Sequence, residues 1–167
     1  MVNYAWTCSC CGEKYDTLPF DWSMAAPDDY NAVPEAEREV RTLISRNFCT
    51  VDGQAFVRGV IEIPVTDFDG TLRFGLWVSV SEASERTILQ VWDDPDCSRH
   101  GPFFGWLRSR LGPYPDTLNL KASLRLRDDI APAIDLKPTD HPLAVDQRRG
   151  ISVTRVAEIA EKLMSHR

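Results

Sequence analysis

The clearest pattern in the chain is a strict alternation over residues 72–81. Leu72, Phe74, Leu76, Val78 and Val80 fall on one parity, and Arg73, Gly75, Trp77, Ser79 and Ser81 on the other. A β-strand points successive side chains to opposite faces, so this run predicts a strand with one face on a core. A second alternation sets Leu118, Leu120, Ala122, Leu124 and Leu126 against Asn119, Lys121, Ser123, Arg125 and Arg127 and predicts another. Residues 48–51 and 55–64 are strand-like too, and Asp52-Gly53 between them is a strong hairpin signal. Along 55–64, Phe56 and Val60 read as the core-facing positions. Asp69-Gly70 makes a second turn. Residues 4–7 and 134–136 add short strands, while 103–107 fits either a strand or a helix.

Helical signals are fewer. Pro34 suits the first turn of a helix to about Ser45, with Val40, Leu43 and Ile44 on one face; a strand is the alternative there. Ser81-Glu82 opens a short helix through Val91. Asp140 is the expected cap of a helix that Gly150 ends. A last helix starts at Ser152 and puts Val153, Val156, Ile159, Ala160 and Leu163 on one side. Residues 13–33 contain Pro19, Pro27 and many acids and read as an irregular, partly packed loop. The sum is an α+β fold: a mostly antiparallel sheet of five to six strands with a few helices, in one domain over residues 1–167.

Composition sharpens this picture. A chain of 167 residues, 43% hydrophobic, buries enough surface to fold without a staple. No apolar run approaches the ~18 residues of a spanning helix. The start, Met1-Val2-Asn3-Tyr4, lacks the basic and apolar stretches of a secretory signal, so a cytoplasmic protein with reduced thiols is expected. The net charge of −6 sits in residues 13–39, where eight acids face two bases. That balance disfavours nucleic-acid binding. It fits a solvated surface or a basic protein partner.

The chemistry gathers on cysteine. Five cysteines is an odd number, which argues against a complete disulfide framework and for metal ligands or buried thiols. Cys8-Ser9-Cys10-Cys11-Gly12 holds a Cys-x-x-Cys pair followed by a glycine, an N-terminal knuckle in which Cys8 and Cys11 can reach one tetrahedral zinc. Cys10 has a spacing that suits no common site and is set aside. Further ligands must come from elsewhere: Cys97 and His100 have Cys-x-x-His spacing, Cys49 is a third candidate, and His141 and His166 are the other histidines. A metal here is expected to be structural. No metalloprotease helix motif, phosphate-binding glycine loop or nucleophile elbow occurs, and no catalytic residue is assigned. Arg58, Trp77, Ser79, Glu82 and His141 are the candidate binding surface, with Arg58 and Glu62 a natural ion pair on the same strand face.

The chain also resembles a bacterial family, domain of unknown function 2199. The resemblance rests on Cys8-x-x-Cys11-Gly12, Leu18-Pro19, Glu37-Arg38, Cys49, Phe56-Val57-Arg58-Gly59 with Ile63-Pro64, and Gly75 through Glu82. It continues with Phe104-Gly105-Trp106-Leu107, Tyr114-Pro115-Asp116-Thr117, Asp140-His141-Pro142-Leu143-Ala144, Gln147 and Gly150-Ile151-Ser152. The resemblance implies no activity. It implies that a histidine often stands where this chain has Tyr15, and it favours Cys49 over Cys97 and His100 as a third ligand.

Two functional expectations follow. The first is a non-enzymatic protein-binding module with a structural zinc knuckle; its size and acidity are those of toxin-neutralising immunity proteins. The second is a small enzyme, metal-assisted or dependent on histidine and glutamate, with a pocket near Trp77, Ser79, Glu82 and His141.

Overall fold

A computed structural model describes residues 1–165. The N-terminus forms a hairpin of β1 (Val2–Thr7) and β2 (Lys14–Leu18), which pair only with each other. Then come β3 (Asp21–Ser23), α1 (Asp28–Ala32), α2 (Arg38–Arg41), β4 (Thr42–Ile44) and β5 (Phe48–Val51). The long strands β6 (Gln54–Pro64) and β7 (Thr71–Val80) follow, then α3 (Glu82–Val91), β8 (Phe103–Leu107), β9 (Lys121–Arg127) and β10 (Ile130–Leu136). Helices α4 (Pro142–Arg149) and α5 (Val153–Met164) complete the described chain. His166, a candidate ligand by residue type, lies outside the described residues.

Eight strands form one mixed sheet, ordered β3-β7-β8-β9-β10-β6-β5-β4, and β7 also pairs with β6. Strands β6 to β10 therefore pair in a ring. This corrects the expected five to six mostly antiparallel strands, and the reason is geometric. Antiparallel neighbours alternate in direction, so a ring of five strands must contain one parallel closure. That closure is β10 on β6, registered at Ala133↔Val60. Strand β3 adds a second parallel pairing at the far edge of β7. Pro132 lacks an N–H, and the β10 ladder shifts register between Ile130 and Ala133.

The alternation of β7 is kept in full: Leu72, Phe74, Leu76, Val78 and Val80 enter the main core. On β6 the expected parity is reversed. Ala55, Val57, Ile61 and Ile63 face that core, whereas Phe56 turns to the other side. There Phe56 and Trp77 join Cys49, Val51 and Val33 in a second cluster. Around Phe56 and Trp77 both faces of β6 and β7 are thus covered, which a strand flanked by one core does not need. The hairpin turn is as expected: Asp52 and Gly53 both have positive φ, 49° and 84°, which suits the mirror-image turns that join twisted strands.

Residues 13–33 are not a plain loop, since they hold β2, β3 and α1. Their acids fold against bases elsewhere: Asp29 pairs with Arg108 at 2.8 Å, Asp21 with Arg73 at 3.5 Å and Asp28 with Arg110 at 3.9 Å. The helix expected from Pro34 is replaced by one turn, α2 and the edge strand β4, which pairs with β5; Val40 and Leu43 are exposed. The 103–107 run is a strand. Helix α3 begins where Ser81 predicts, with its Oγ accepting from the Ser84 N–H at 3.1 Å. Ser152 caps α5 in the same way.

Candidate metal centre

The loop between β1 and β2 carries the cysteines. The Cys8 N–H donates to the Glu13 carbonyl at 2.8 Å and the Gly12 N–H to the Cys8 carbonyl at 2.9 Å, so residues 8–13 close into a tight turn. Gly12 sits at φ 74°, a conformation that glycine adopts without strain. This turn folds three thiols inward. The Sγ atoms of Cys8, Cys10 and Cys11 lie within 4.8 Å of one another, and together they can hold a metal ion. Cys8 is buried; Cys10 and Cys11 are exposed.

Cys10, set aside on spacing, is therefore part of the cluster. Its Sγ lies 2.8 Å from that of Cys8. With Cys10 as donor, the contact holds the Cys8 thiol below its ordinary value and pushes Cys10 up to about 11. Sulfur bonds of about 2.3 Å around a tetrahedral ion set the sulfurs about 3.8 Å apart, so Cys8 and Cys10 must draw apart from this contact to share one. Among the described residues no fourth Cys, His, Asp or Glu joins the three.

The other proposed ligands lie apart from this cluster. Cys49 is 2% exposed in the second hydrophobic cluster, where burial pushes its thiol up to about 11. Cys97 is buried and donates to the Arg127 carbonyl at 3.4 Å, with burial raising it as well. His100 follows it at the surface, on the far side of a short turn. Tyr15, where the resemblance implies a histidine, stacks on Trp6 at 4.8 Å and donates to Glu13 at 2.9 Å.

A clamp that no local sequence signal announces holds the turn from outside. The Ser9 N–H and Oγ–H both donate to the Glu161 carboxylate at 2.6 Å, tying the knuckle to α5 across 152 positions of sequence. These two bonds hold Glu161 below its ordinary value.

The expected binding surface is dispersed. Trp77 is fully buried; its N–H donates to the Ser109 Oγ at 3.0 Å and its Nε1–H to the Met24 carbonyl at 2.9 Å. Glu82 is exposed and pairs with Arg86 within α3. His141, not Asp140, caps α4: its Nδ1 accepts from the Leu143 N–H at 3.1 Å. Its Nε2 then donates toward the Pro115 and Asp116 carbonyls at 3.2 and 3.0 Å, so both ring nitrogens are committed. Arg58 and Glu62 share a face as expected but do not pair. Glu62 binds Arg127 at 2.7 Å, and Arg58 donates to the Ser23 Oγ. Ser79 lines a cleft of about 430 Å³ with Gln54, Phe56, Trp106, Arg108 and Asn119. Beside it on β8, Trp106 and Phe104 are 39% and 48% exposed and meet edge to face at 5.2 Å.

The architecture defines an α+β protein built on a curled mixed sheet, with a thiol-bearing hairpin docked on its last described helix. The model of a family described as uncharacterised proteins conserved in bacteria, domain of unknown function 2199, matches residues 7–151, and the chain belongs to that family. The matched region contains the knuckle but not Glu161. No curated protein and no solved structure matches the chain. No helix among the described residues is long and apolar enough to cross a membrane.

Proposed function

We propose that this protein is a binding module and not an enzyme, and that its N-terminal hairpin holds a structural zinc ion through Cys8, Cys10 and Cys11. The observation that carries the reading is the convergence of three sulfurs within 4.8 Å on one closed turn. Thiolate donors favour zinc over the hard divalent ions. A two-stranded hairpin is marginal by itself in water, so an ion in its turn would supply order that packing does not. Three sulfurs fill three tetrahedral positions. Water or a donor from a partner takes the fourth.

Two features support binding over catalysis. Both nitrogens of His141 are hydrogen-bonded to the backbone, which leaves neither free to face a substrate in this arrangement. The exposed Phe104–Trp106 pair beside the Ser79 cleft has the make-up of an aromatic anchor for a protein partner.

Cobalt titration tests the metal reading. The reduced protein is expected to take up one equivalent of cobalt(II) with a thiolate-to-metal charge-transfer band, and zinc is expected to displace it. Cys8→Ser, Cys10→Ser and Cys11→Ser should each weaken uptake about tenfold or more, while Cys49→Ser and Cys97→Ser leave it unchanged. Absence of the band, or an equal loss on changing Cys97, contradicts the reading.

A further inference from the structure

A second site stands on different residues. We propose that the cleft beside the β5–β6 hairpin binds a small organic anion, its carboxylate or phosphate group seated between Arg58 and Arg46 and its apolar body against Trp92 and Ile130. The cleft is about 500 Å³, within the range of small-molecule sites. Arg46, Arg58 and Arg127 line it together with Trp92 and Ile130.

The charges in this cleft are not balanced pairwise. Arg127 is taken by Glu62 at 2.7 Å. Among the described residues neither Arg58 nor Arg46 makes an ion pair, and Arg58 is only partly exposed. Burial, and then the charge of Arg46, both disfavour the charged form of Arg58. A half-buried guanidinium facing a like charge is costly in the free protein. An anion between the two offsets both costs, and the planar fork of arginine matches the oxygens of a carboxylate or phosphate.

The fold builds a seat for this side chain. Arg58 stands opposite Trp77 in the β6–β7 ladder, and its guanidinium reaches over Gly75 to the Ser23 Oγ. A Cβ at position 75 would lie 2.6 Å from the Arg58 Nη2 and 3.1 Å from the Ser23 Oγ, so a side chain there would displace the guanidinium from this position. The organic wall is fixed too: Trp92 is half-buried and held edge-on by Phe48 at 4.7 Å. Asp93, Asp94 and Asp129 also line the cleft, and all three are exposed. They disfavour long polyanions and leave room for a compact ligand with one anionic end.

Calorimetric titration and thermal unfolding of the full chain test this, with phenyl phosphate, benzoate, inorganic phosphate and phenol as probes. At least one of phenyl phosphate and benzoate should bind saturably and raise Tm, at least tenfold more tightly than inorganic phosphate. The tighter of the two identifies the oxyanion. Phenol should not bind. Arg58→Gln and Arg46→Gln should each weaken binding about tenfold or more, as loss of a charge-assisted hydrogen bond does. Without ligand, Arg46→Gln should not lower Tm, since it removes a like charge from Arg58, which keeps the test informative if Arg58→Gln unfolds the protein. Absence of saturable binding by both organic anions, or binding indifferent to Arg46→Gln, overturns the proposal.

Discussion

Strands β1 and β2 pair only with each other, whereas β6 to β10 pair in a ring whose members are covered on one or both faces. The ring supplies much of the main core itself: Leu72, Phe74, Leu76, Val78, Ile61 and Leu124 are fully buried, packed with side chains of α3, α4 and α5. The hairpin buries Trp6 and Leu18 but leaves most of its other side chains partly or fully exposed. Its order comes from four places: Trp6, Cys8 and Leu18 packed into the main core, the stacked Trp6–Tyr15 pair, the Ser9–Glu161 clamp and, in our reading, an ion among three sulfurs. The contrast teaches where each kind of perturbation should act. Deleting packing should damage the ring and spare the knuckle, and removing metal should do the reverse.

The largest expected effect is on the ring. Trp77→Ala removes the largest fully buried side chain, a change that costs about 3–5 kcal/mol in a packed core. Denaturant unfolding should show that loss, and cobalt uptake by the residual folded protein should persist. Metal removal comes next. At a hundredfold excess of free ion over Kd, binding adds about 2.7 kcal/mol, and chelation should take that away. Hydrogen exchange should then quicken most in residues 2–18 and least in β6 and β7. Ser109→Ala is smaller. Ser109 is fully buried and accepts from the Trp77 N–H, so its loss orphans that donor at a cost of about 1–3 kcal/mol. The smallest effect belongs to Glu161→Gln, which weakens an exposed clamp. Its pH dependence gives it away. Glu161 is held below its ordinary value of 4.5 in the folded state. Its contribution is therefore complete at neutral pH and is lost as pH falls below that value. The stability difference between the parent and Glu161→Gln should shrink over the same range, as acid unfolding curves will show.

The sequence made much of this legible, and unevenly. The β7 alternation could be read outright because one of its faces is apolar at every position. The parity of β6 is ambiguous in the sequence, because Phe56 and Val60 on one face carry as much hydrophobic signal as Val57 and Ile61 on the other. Pairing order leaves no local trace, and the parallel closure of β10 on β6 follows only once the strands form a ring. In residues 13–33 polar side chains hide β2, which pairs with β1, and α1, which is tied to Arg108 and Arg110 far along the chain. Cys8 and Cys11 were legible from spacing. Cys10 falls outside the Cys-x-x-Cys spacing, although three thiols in four residues already allow a shared ion. Glu161 and Arg46 had no local signal, since each acts on a residue brought to it by the fold.

Elemental analysis of freshly purified, never-chelated protein, set beside its Cys10→Ser variant, tests the central claim most directly. One equivalent of zinc per chain in the parent and a clear loss in Cys10→Ser is the predicted result. No metal in the parent, or full metal retained without the Cys10 sulfur, contradicts it.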